Sequence, residues 1–260
     1  MDNHEIDTGN MLFLLGGHDL EMLTIRDVLK THDIAYVDHG LSWDNAKLSS
    51  YENEIADAQR EGVNIYGIEL RKDMPMPEKY HSIDHHNEFY QLPSSLEQVM
   101  ELLLLPMDRH QELVAANDKA YIPGMKQMGA TEEEIAVVRR ADRRAQGVTE
   151  EDERLADVAM VHNARHIGRL TIVRALSDRF SPICDKLFPY QHLLIYNDNT
   201  WMYSGQEARR VAKMFDDENK GTDIYRGGGP GGYVGLASGS CSAKEVNEMI
   251  EQIIKLMGNV

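Results

Sequence analysis

The stretch Ile83-Asp84-His85-His86-Asn87-Glu88 places an aspartate and two adjacent histidines at the end of a short predicted strand, His81-Ser82-Ile83. A carboxylate oxygen beside imidazole nitrogens suits manganese, iron or zinc. The alternative is a polar loop in which one histidine caps a helix. Because two adjacent histidines after an apolar strand are uncommon, the pattern favours a metal site at the end of that strand.

Three apolar segments upstream end at a glycine pair or at acidic residues. They span residues 11–15, 34–37 and 63–68, and they are followed by Gly16-Gly17, Asp38 and Glu69. Amphipathic segments over 20–30 and 47–61 predict helices between them. Strands that alternate with helices indicate a mainly parallel sheet. Ligands gather beyond the carboxyl ends of such strands, which is where the polar residues stand.

Capping boxes predict the next helices. Ser94 with Glu97 opens a run to Leu105, and Thr131 with Glu134 opens a largely helical segment that reaches about Leu176. His162 and His166 lie four residues apart in this segment, a spacing that can chelate a metal on a helix. Packing or surface roles are the preferred interpretation of these two histidines.

The chain after residue 180 predicts a small α/β domain. The predicted elements are a hairpin over 192–196 and 200–203, a helix over 207–215, a strand over 223–225 that enters Gly227–Gly232, a strand over 233–237 and a helix capped by Ser242. We therefore expect an α/β fold with three parts. These are a mainly parallel metal-binding domain over 1–130, a helical connector over 131–180 and the smaller α/β domain over 181–260.

Composition limits the classes of function. The 260 residues include 27 basic and 43 acidic side chains, a net charge of −16, which disfavours the coating of nucleic acid. Two cysteines, Cys184 and Cys241, are too few for a disulfide framework or a zinc knuckle. A polar N-terminus and the lack of an apolar run of about 20 residues predict a soluble cytoplasmic protein without a membrane span.

The Ile83–His86 motif resembles the signature of the DHH phosphoesterase superfamily, and the order of elements is similar over most of the chain. That superfamily includes single-strand exonucleases, oligoribonucleases, cyclic-dinucleotide phosphodiesterases and manganese-dependent pyrophosphatases. The resemblance implies a two-metal site at the carboxyl edge of a parallel sheet. It also implies a smaller C-terminal domain with a glycine-rich substrate loop, and a substrate bound in the cleft between the two domains.

The resemblance also implies roles for individual residues. Metal ligands would be His18, Glu69, His85 and Asp118, with Asp19, Glu21 and Asp38 as alternatives; catalytic residues would be His86, Asp84 and Arg226; substrate-binding residues would be Arg226, Gly227, Gly228 and Gly229. The expected metal is Mn²⁺, with Mg²⁺, Fe or Zn²⁺ as alternatives.

Two departures make the chain a divergent member. The family's first motif adds aspartates four and six residues after its histidine, where this chain has Met22 and Thr24, while its acids are Asp19 and Glu21. Pro230 stands where the glycine-rich loop normally has a histidine. Either the shifted acids substitute, or one metal site is missing. A hydrolase and a non-hydrolytic ligand-binding or regulatory protein therefore both stay open, as does a different reaction at a single metal.

Charge also predicts the size of the substrate. The densest basic cluster, formed by Arg139, Arg140, Arg143 and Arg144, lies on a predicted helix among acids, so we expect most of these arginines in surface ion pairs. Arg226 and Lys119 remain for one or two phosphates. The sequence predicts a small phosphorylated substrate, no long nucleic acid and no membrane partner, and it leaves a homodimer open.

Overall fold

A computed structural model describes residues 8–86, 89–215, 223–227 and 232–258. The chain divides into two compact units, Met1–Gly147 and Val148–Val260. Gly228 and Gly229, both predicted to bind substrate, lie outside the described residues. Among the helices in these ranges, none combines the length and apolar character that crossing a membrane requires.

The first unit is built on a four-stranded parallel sheet. Its strands are β1 (Met11–Leu14), β2 (Tyr36–Val37), β3 (Asn64–Ile68) and β4 (Tyr80–Ile83), in the spatial order β2-β1-β3-β4. Consecutive residues of β3 from Ile65 to Ile68 are buried. Because neighbouring side chains of a strand point to opposite faces, both faces of this strand are covered. The predicted parallel α/β architecture is confirmed.

Five helices complete the described part of this unit. They are α1 (Leu20–Thr31), α2 (Glu52–Glu61), α3 (Ser95–Leu102), α4 (Arg109–Gln127) and α5 (Glu132–Ala145). The capping boxes at Ser94 and Thr131 are both present, with each hydroxyl accepting from the backbone N–H three residues on. The predicted helix over 47–61 starts later, at Glu52, because residues 48–51 form a 3₁₀ turn.

The second unit is built on a six-stranded sheet in the order β5-β6-β7-β8-β10-β9. Only β6 and β7 run parallel among these neighbours. The strands are β5 (Ala164–Ile167), β6 (Leu170–Arg174), β7 (His192–Tyr196), β8 (Trp201–Gly205), β9 (Ile224–Gly227) and β10 (Tyr233–Leu236), and the helices are α6 (Glu150–His162), α7 (Ser181–Leu187), α8 (Ala208–Phe215) and α9 (Ala243–Met257). The hairpin, the helix and the strands predicted after residue 190 are confirmed.

The predicted helical segment to about Leu176 is wrong beyond His162. Residues 164–174 form the antiparallel pair β5 and β6, which turns at Gly168 with a positive φ of 56°. The consecutive residues Thr171-Ile172-Val173 are β-branched, which favours a strand. His162 ends a helix and His166 lies in a strand, so their spacing offers no helical chelate.

The observed division of the chain also differs from the predicted one. The boundary falls between Gly147 and Val148, earlier than the predicted boundary near residue 180. The reason is that α6 packs on the C-terminal sheet, where Ala156 and Ala159 share a buried cluster with Leu193 and Ile195 of β7. Leu194 lies between Leu193 and Ile195 in the strand and points to the opposite face of the sheet. There it belongs to a second buried cluster, which includes residues of α8 and α9.

His192 makes the stability of the second unit depend on pH. The residue is 5% exposed, and its Nδ1 lies 2.6 Å from the Tyr203 hydroxyl. Burial lowers the pKa of His192 from its usual value of 6.5, since the buried ring resists a proton that the unfolded chain accepts. Its contribution to the free energy of unfolding is therefore present above about pH 6.5 and is lost as the pH falls below that value.

We expect the His192→Gln variant to show a weaker pH dependence of stability between pH 7.5 and 5.5 than the natural chain. The difference is at most about 1.4 kcal/mol per pH unit for one group. Urea unfolding at several pH values measures it, and only the change with pH is compared, because the substitution also alters packing. Identical pH dependences in the two proteins would contradict the assignment.

Candidate metal centre

The ends of β1, β3 and β4 converge at the carboxyl edge of the first sheet. Ile68 of β3 pairs with Ile83 of β4. The next residues, Glu69 and Asp84, therefore leave the two strands side by side. After β1 the chain passes against the end of β3 at Gly16, where a Cβ atom would lie 2.4 Å from the Ile68 carbonyl oxygen. Gly16 thereby brings the start of α1 close to Glu69.

Glu69 leaves its strand with an uncommon backbone conformation. Its φ is 51°, in the left-handed region that glycine favours, a state that costs a non-glycine residue about 1–3 kcal/mol. Its side chain is buried, and its Oε1 accepts a hydrogen bond from Ser95 Oγ at 2.7 Å. Strain of this kind concentrates at functional sites, which agrees with the position of Glu69.

His85 is the centre of a buried group of carboxylates. Its Nε2 lies 2.5 Å from Asp118 Oδ2, 3.3 Å from Glu69 Oε1 and 3.6 Å from Glu21 Oε2. One potential ligand atom each from Glu69, His85, His86 and Asp118 lies within 4.8 Å of the others. The structure thus brings together three of the four metal ligands that the resemblance implied.

The first turn of α1 adds two further acids. Asp19 is the N-cap of α1, and its Oδ1 accepts from the Met22 backbone N–H at 2.8 Å. Glu21 is 2% exposed, and its Oε1 accepts from the Leu96 backbone N–H at 3.0 Å. Backbone N–H groups at helix starts favour negative charge, so α1 and α3 both help to hold these carboxylates.

The pKa values of the group show how closely its charges interact. Burial raises the pKa of Asp19, and the negative charges of Asp118 and Glu69 raise it further. Burial acts to lower the pKa of His85, but the carboxylates of Asp118, Glu21 and Glu69 outweigh it and raise that pKa to about 12. The carboxylates therefore attract positive charge to this position.

The group has the properties of a divalent cation site. Within the described residues, Glu21 Oε2, His85 Nε2 and Asp118 Oδ2 are buried without a hydrogen bond of acceptable geometry, although they lie close to one another. An unsatisfied buried polar atom costs about 1–3 kcal/mol. A cation between them would satisfy all three, and carboxylate oxygen with imidazole nitrogen is a donor set that suits Mn²⁺, Fe or Zn²⁺.

His86 lies at the solvent side of this group. Its side chain is 43% exposed, and its Nδ1 lies 3.3 Å from Asp84 Oδ1 and 3.7 Å from Glu69 Oε1. Burial acts to lower the pKa of His86, whereas the carboxylates of Asp84 and Glu69 raise it, and the net direction is upward. Asp84 also accepts from the His86 backbone N–H at 2.8 Å, so it fixes both the main chain and the ring of His86.

Two predicted metal ligands do not join the group. His18 is half-buried between the Gly17 bridge and the N-cap of α1, and it is not among the residues whose ligand atoms converge. Asp38 instead accepts from the Gly40 backbone N–H and pairs with Arg26 at 3.6 Å. Because α1 begins directly after Asp19, its N-cap and its first turn bring Asp19 and Glu21, rather than His18, to the buried group.

The other predicted residues lie in different surroundings. Arg226 and Gly227 belong to β9 in the second unit, and their predicted contact with substrate stays a prediction. The expectation of surface ion pairs is wrong for Arg139 and Arg143, which are buried, whereas Arg140 and Arg144 are exposed.

Sequence reasoning missed the buried hydrogen-bond network that Arg139 forms next to Asp118. Its guanidinium donates to Asn117 Oδ1 at 2.9 Å and to Asp142 Oδ2 at 2.6 Å. The Arg139 Cζ atom lies 4.5 Å from the centroid of the Tyr121 ring. Tyr121 stands where α4 loses helical geometry, shortly after Asp118. The i, i+3 spacing of Arg139 and Asp142 was visible in the sequence, but not their burial.

A search of solved structures finds several that are similar to this chain. A DHH domain described as a member of a family of ribosomal proteins is 12% identical, with a TM-score of 0.58 over 97% of this chain and 87% of that one. RecJ from Thermus thermophilus in complex with Mn²⁺ is 10% identical, with a TM-score of 0.48 over 98% of this chain and 53% of that one. The pGpG-specific phosphodiesterase PggH from Vibrio cholerae is 13% identical, with a TM-score of 0.44 over 96% and 98%.

No protein-family model and no curated protein sequence matches the chain. The identities to solved structures are low, so the likeness concerns the fold. The parallel sheet and the order of elements agree with the expectation drawn from the Ile83–His86 motif. The chain has the fold of the DHH-domain proteins, in a divergent form.

Proposed function

We propose that this protein is a metal-dependent phosphoesterase that acts on a small phosphorylated or nucleotide substrate. The observation that carries the proposal is the set of buried atoms Glu21 Oε2, His85 Nε2 and Asp118 Oδ2, in which both oxygens lie close to the nitrogen without a hydrogen bond of acceptable geometry. These atoms lie at the carboxyl edge of a parallel sheet, where ligands of such folds bind.

The residues that would hold the metal are Glu21, Glu69, His85 and Asp118, with Asp19 beside them. We propose Mn²⁺ as the metal, with Mg²⁺, Fe or Zn²⁺ as alternatives, because the donors are carboxylate oxygens and imidazole nitrogen. His18 was the ligand implied for the first motif, and we propose that Glu21 replaces it, since the Glu21 carboxylate faces His85. Met22 is 2% exposed in the helix and serves packing.

When bound, a divalent cation neutralises phosphoryl oxygens and makes hydroxide available near neutral pH. The chain itself supplies positive charge at the exposed side of the group through the imidazole of His86. A protonated His86 would stabilise the negative charge that builds on the phosphoryl oxygens. Asp84 orients this ring through contacts to its Nδ1 and its backbone N–H. Arg226 and Gly227 are proposed to bind the substrate phosphate.

Removal of His85 should abolish metal binding. We expect protein purified without chelator and reconstituted with Mn²⁺ to retain metal, and the His85→Ala variant to retain less than about one tenth of that amount, since the site loses its central nitrogen. Elemental analysis measures the stoichiometry, and circular dichroism checks the fold. His110→Ala, at an exposed position of α4, is the matched control. Equal metal content in the two variants would remove the basis of the proposal.

The contributions of Glu21 and His18 to metal binding can be measured separately. We expect Glu21→Gln to weaken Mn²⁺ binding at least about tenfold, since even changes to residues that only orient metal ligands commonly cost that much. His18→Ala should leave the affinity within about twofold, because Glu21 lies 3.6 Å from His85 Nε2, whereas no ion pair or hydrogen bond joins His18 to His85 within the described residues. Titration calorimetry on the metal-free proteins measures both. The reverse order of effects would restore His18 as the ligand of the first motif.

Substrate length provides a further test. The net charge of −16 disfavours a long polyanion, so we expect faster turnover of a dinucleotide than of a strand of about twenty nucleotides, which exceeds a typical single-domain site. Faster cleavage of the long strand with a steep salt dependence would contradict this. Bound metal with no turnover of dinucleotide, oligonucleotide or pyrophosphate would instead favour the non-hydrolytic ligand-binding protein.

A further inference from the structure

We propose that Trp43 is a stacking platform for an aromatic base, which makes a nucleotide the substrate class of the metal centre. This inference rests on the proposed function and deepens it. Two side chains define the platform: the indole of Trp43 and the imidazole of His86.

The indole is held in place by the backbone on one side. Leu41, two residues before Trp43, forms a bridge with Gly17 next to the end of β1. A Cβ atom at Gly17 would lie 2.4 Å from carbon atoms of the Trp43 indole, so the ring lies directly on this glycine. Any larger residue at position 17 would displace the ring. The close approach fixes Trp43 at the same edge of the sheet as the metal centre.

The Trp43 ring lies beside His86, the exposed histidine of the candidate metal centre. The ring centroids of Trp43 and His86 are 5.8 Å apart, with an interplanar angle of 61°. Trp43 is 46% exposed, whereas the chain's second tryptophan, Trp201, is fully buried. Single exposed apolar residues are common, so the position of Trp43 rather than its exposure alone carries the inference.

The chemistry of a nucleotide fits this arrangement. One ribose separates a base from its phosphate, so a phosphate next to His86 places the base within reach of the neighbouring indole. Aromatic side chains stack on any base because every base has a π-face. An acidic protein gains little from diffuse attraction to phosphates, and a stacked base supplies affinity that does not depend on charge.

Intrinsic fluorescence tests the contact without turnover. We expect a nucleoside monophosphate, added with Mn²⁺, to quench the emission of the natural protein, whereas ribose 5-phosphate leaves it unchanged. The Trp43→Phe variant, in which Trp201 is the remaining indole, should show no quenching by either ligand. Quenching that persists in Trp43→Phe, or no quenching by the nucleotide in the natural protein, would overturn the inference.

Kinetics separates this inference from the proposed function. The Trp43→Ala variant should lower the ratio of kcat/KM for a dinucleotide to kcat/KM for the same phosphodiester without bases by about tenfold, the scale of one lost stack. Trp43→Phe should keep most of the ratio, since phenylalanine also stacks. An unchanged ratio in Trp43→Ala overturns the stacking role while the phosphoesterase stands. Lack of Mn²⁺-dependent turnover of either substrate refutes the proposed function, and the fluorescence result then decides on the nucleotide site alone.

Discussion

Repulsion among buried carboxylates is the constraint on which the first unit depends. His85 is surrounded by the carboxylates of Glu21, Glu69 and Asp118, and the carboxylate of Asp19 interacts with all three. Burial together with neighbouring negative charge raises the pKa of Asp19, Glu21 and Asp118. A protein that used this region only for packing would be more stable with apolar side chains there. The buried charges therefore support the proposal of a divalent cation, whose positive charge would offset their repulsion.

The surrounding structure holds these groups together by fixing the backbone behind them. Glu69 adopts a positive φ, and the start of α1 supplies Asp19 as a cap and Glu21 one residue into the helix. Buried Arg139 joins Asn117 of α4 to Asp142 of α5, and Asp142 Oδ1 lies 3.5 Å from the Leu20 backbone N–H. One network thus reaches both the residue before Asp118 and the residue after Asp19, which makes α5 a support for the group around His85.

The parts that could be predicted from the sequence were those governed by local chemistry. Short segments that end in Asp or Glu predicted β3 and β4, and serine or threonine with glutamate three residues later predicted the starts of α3, α5 and α9. The hairpin over 164–174 was missed because helix-compatible residues precede its turn at Gly168, although the β-branched run over 171–173 favours a strand. The position of Trp43 on Gly17 depends on a long-range contact, which local patterns do not encode.

In the first motif, the spacing between the two acids is more informative than their distance in sequence from His18. Counting from His18 reaches Met22 and Thr24, which cannot bind a hard cation, and suggests that a metal site has been lost. Asp19 and Glu21 are nevertheless two residues apart, the same separation as the family's two aspartates. Asp19 caps α1 with extended backbone, so the two carboxylates enter the buried group from the cap and first turn of that helix. The cap and first turn of α1 thus bring an acid pair to the group around His85, which counting residues from His18 could not show.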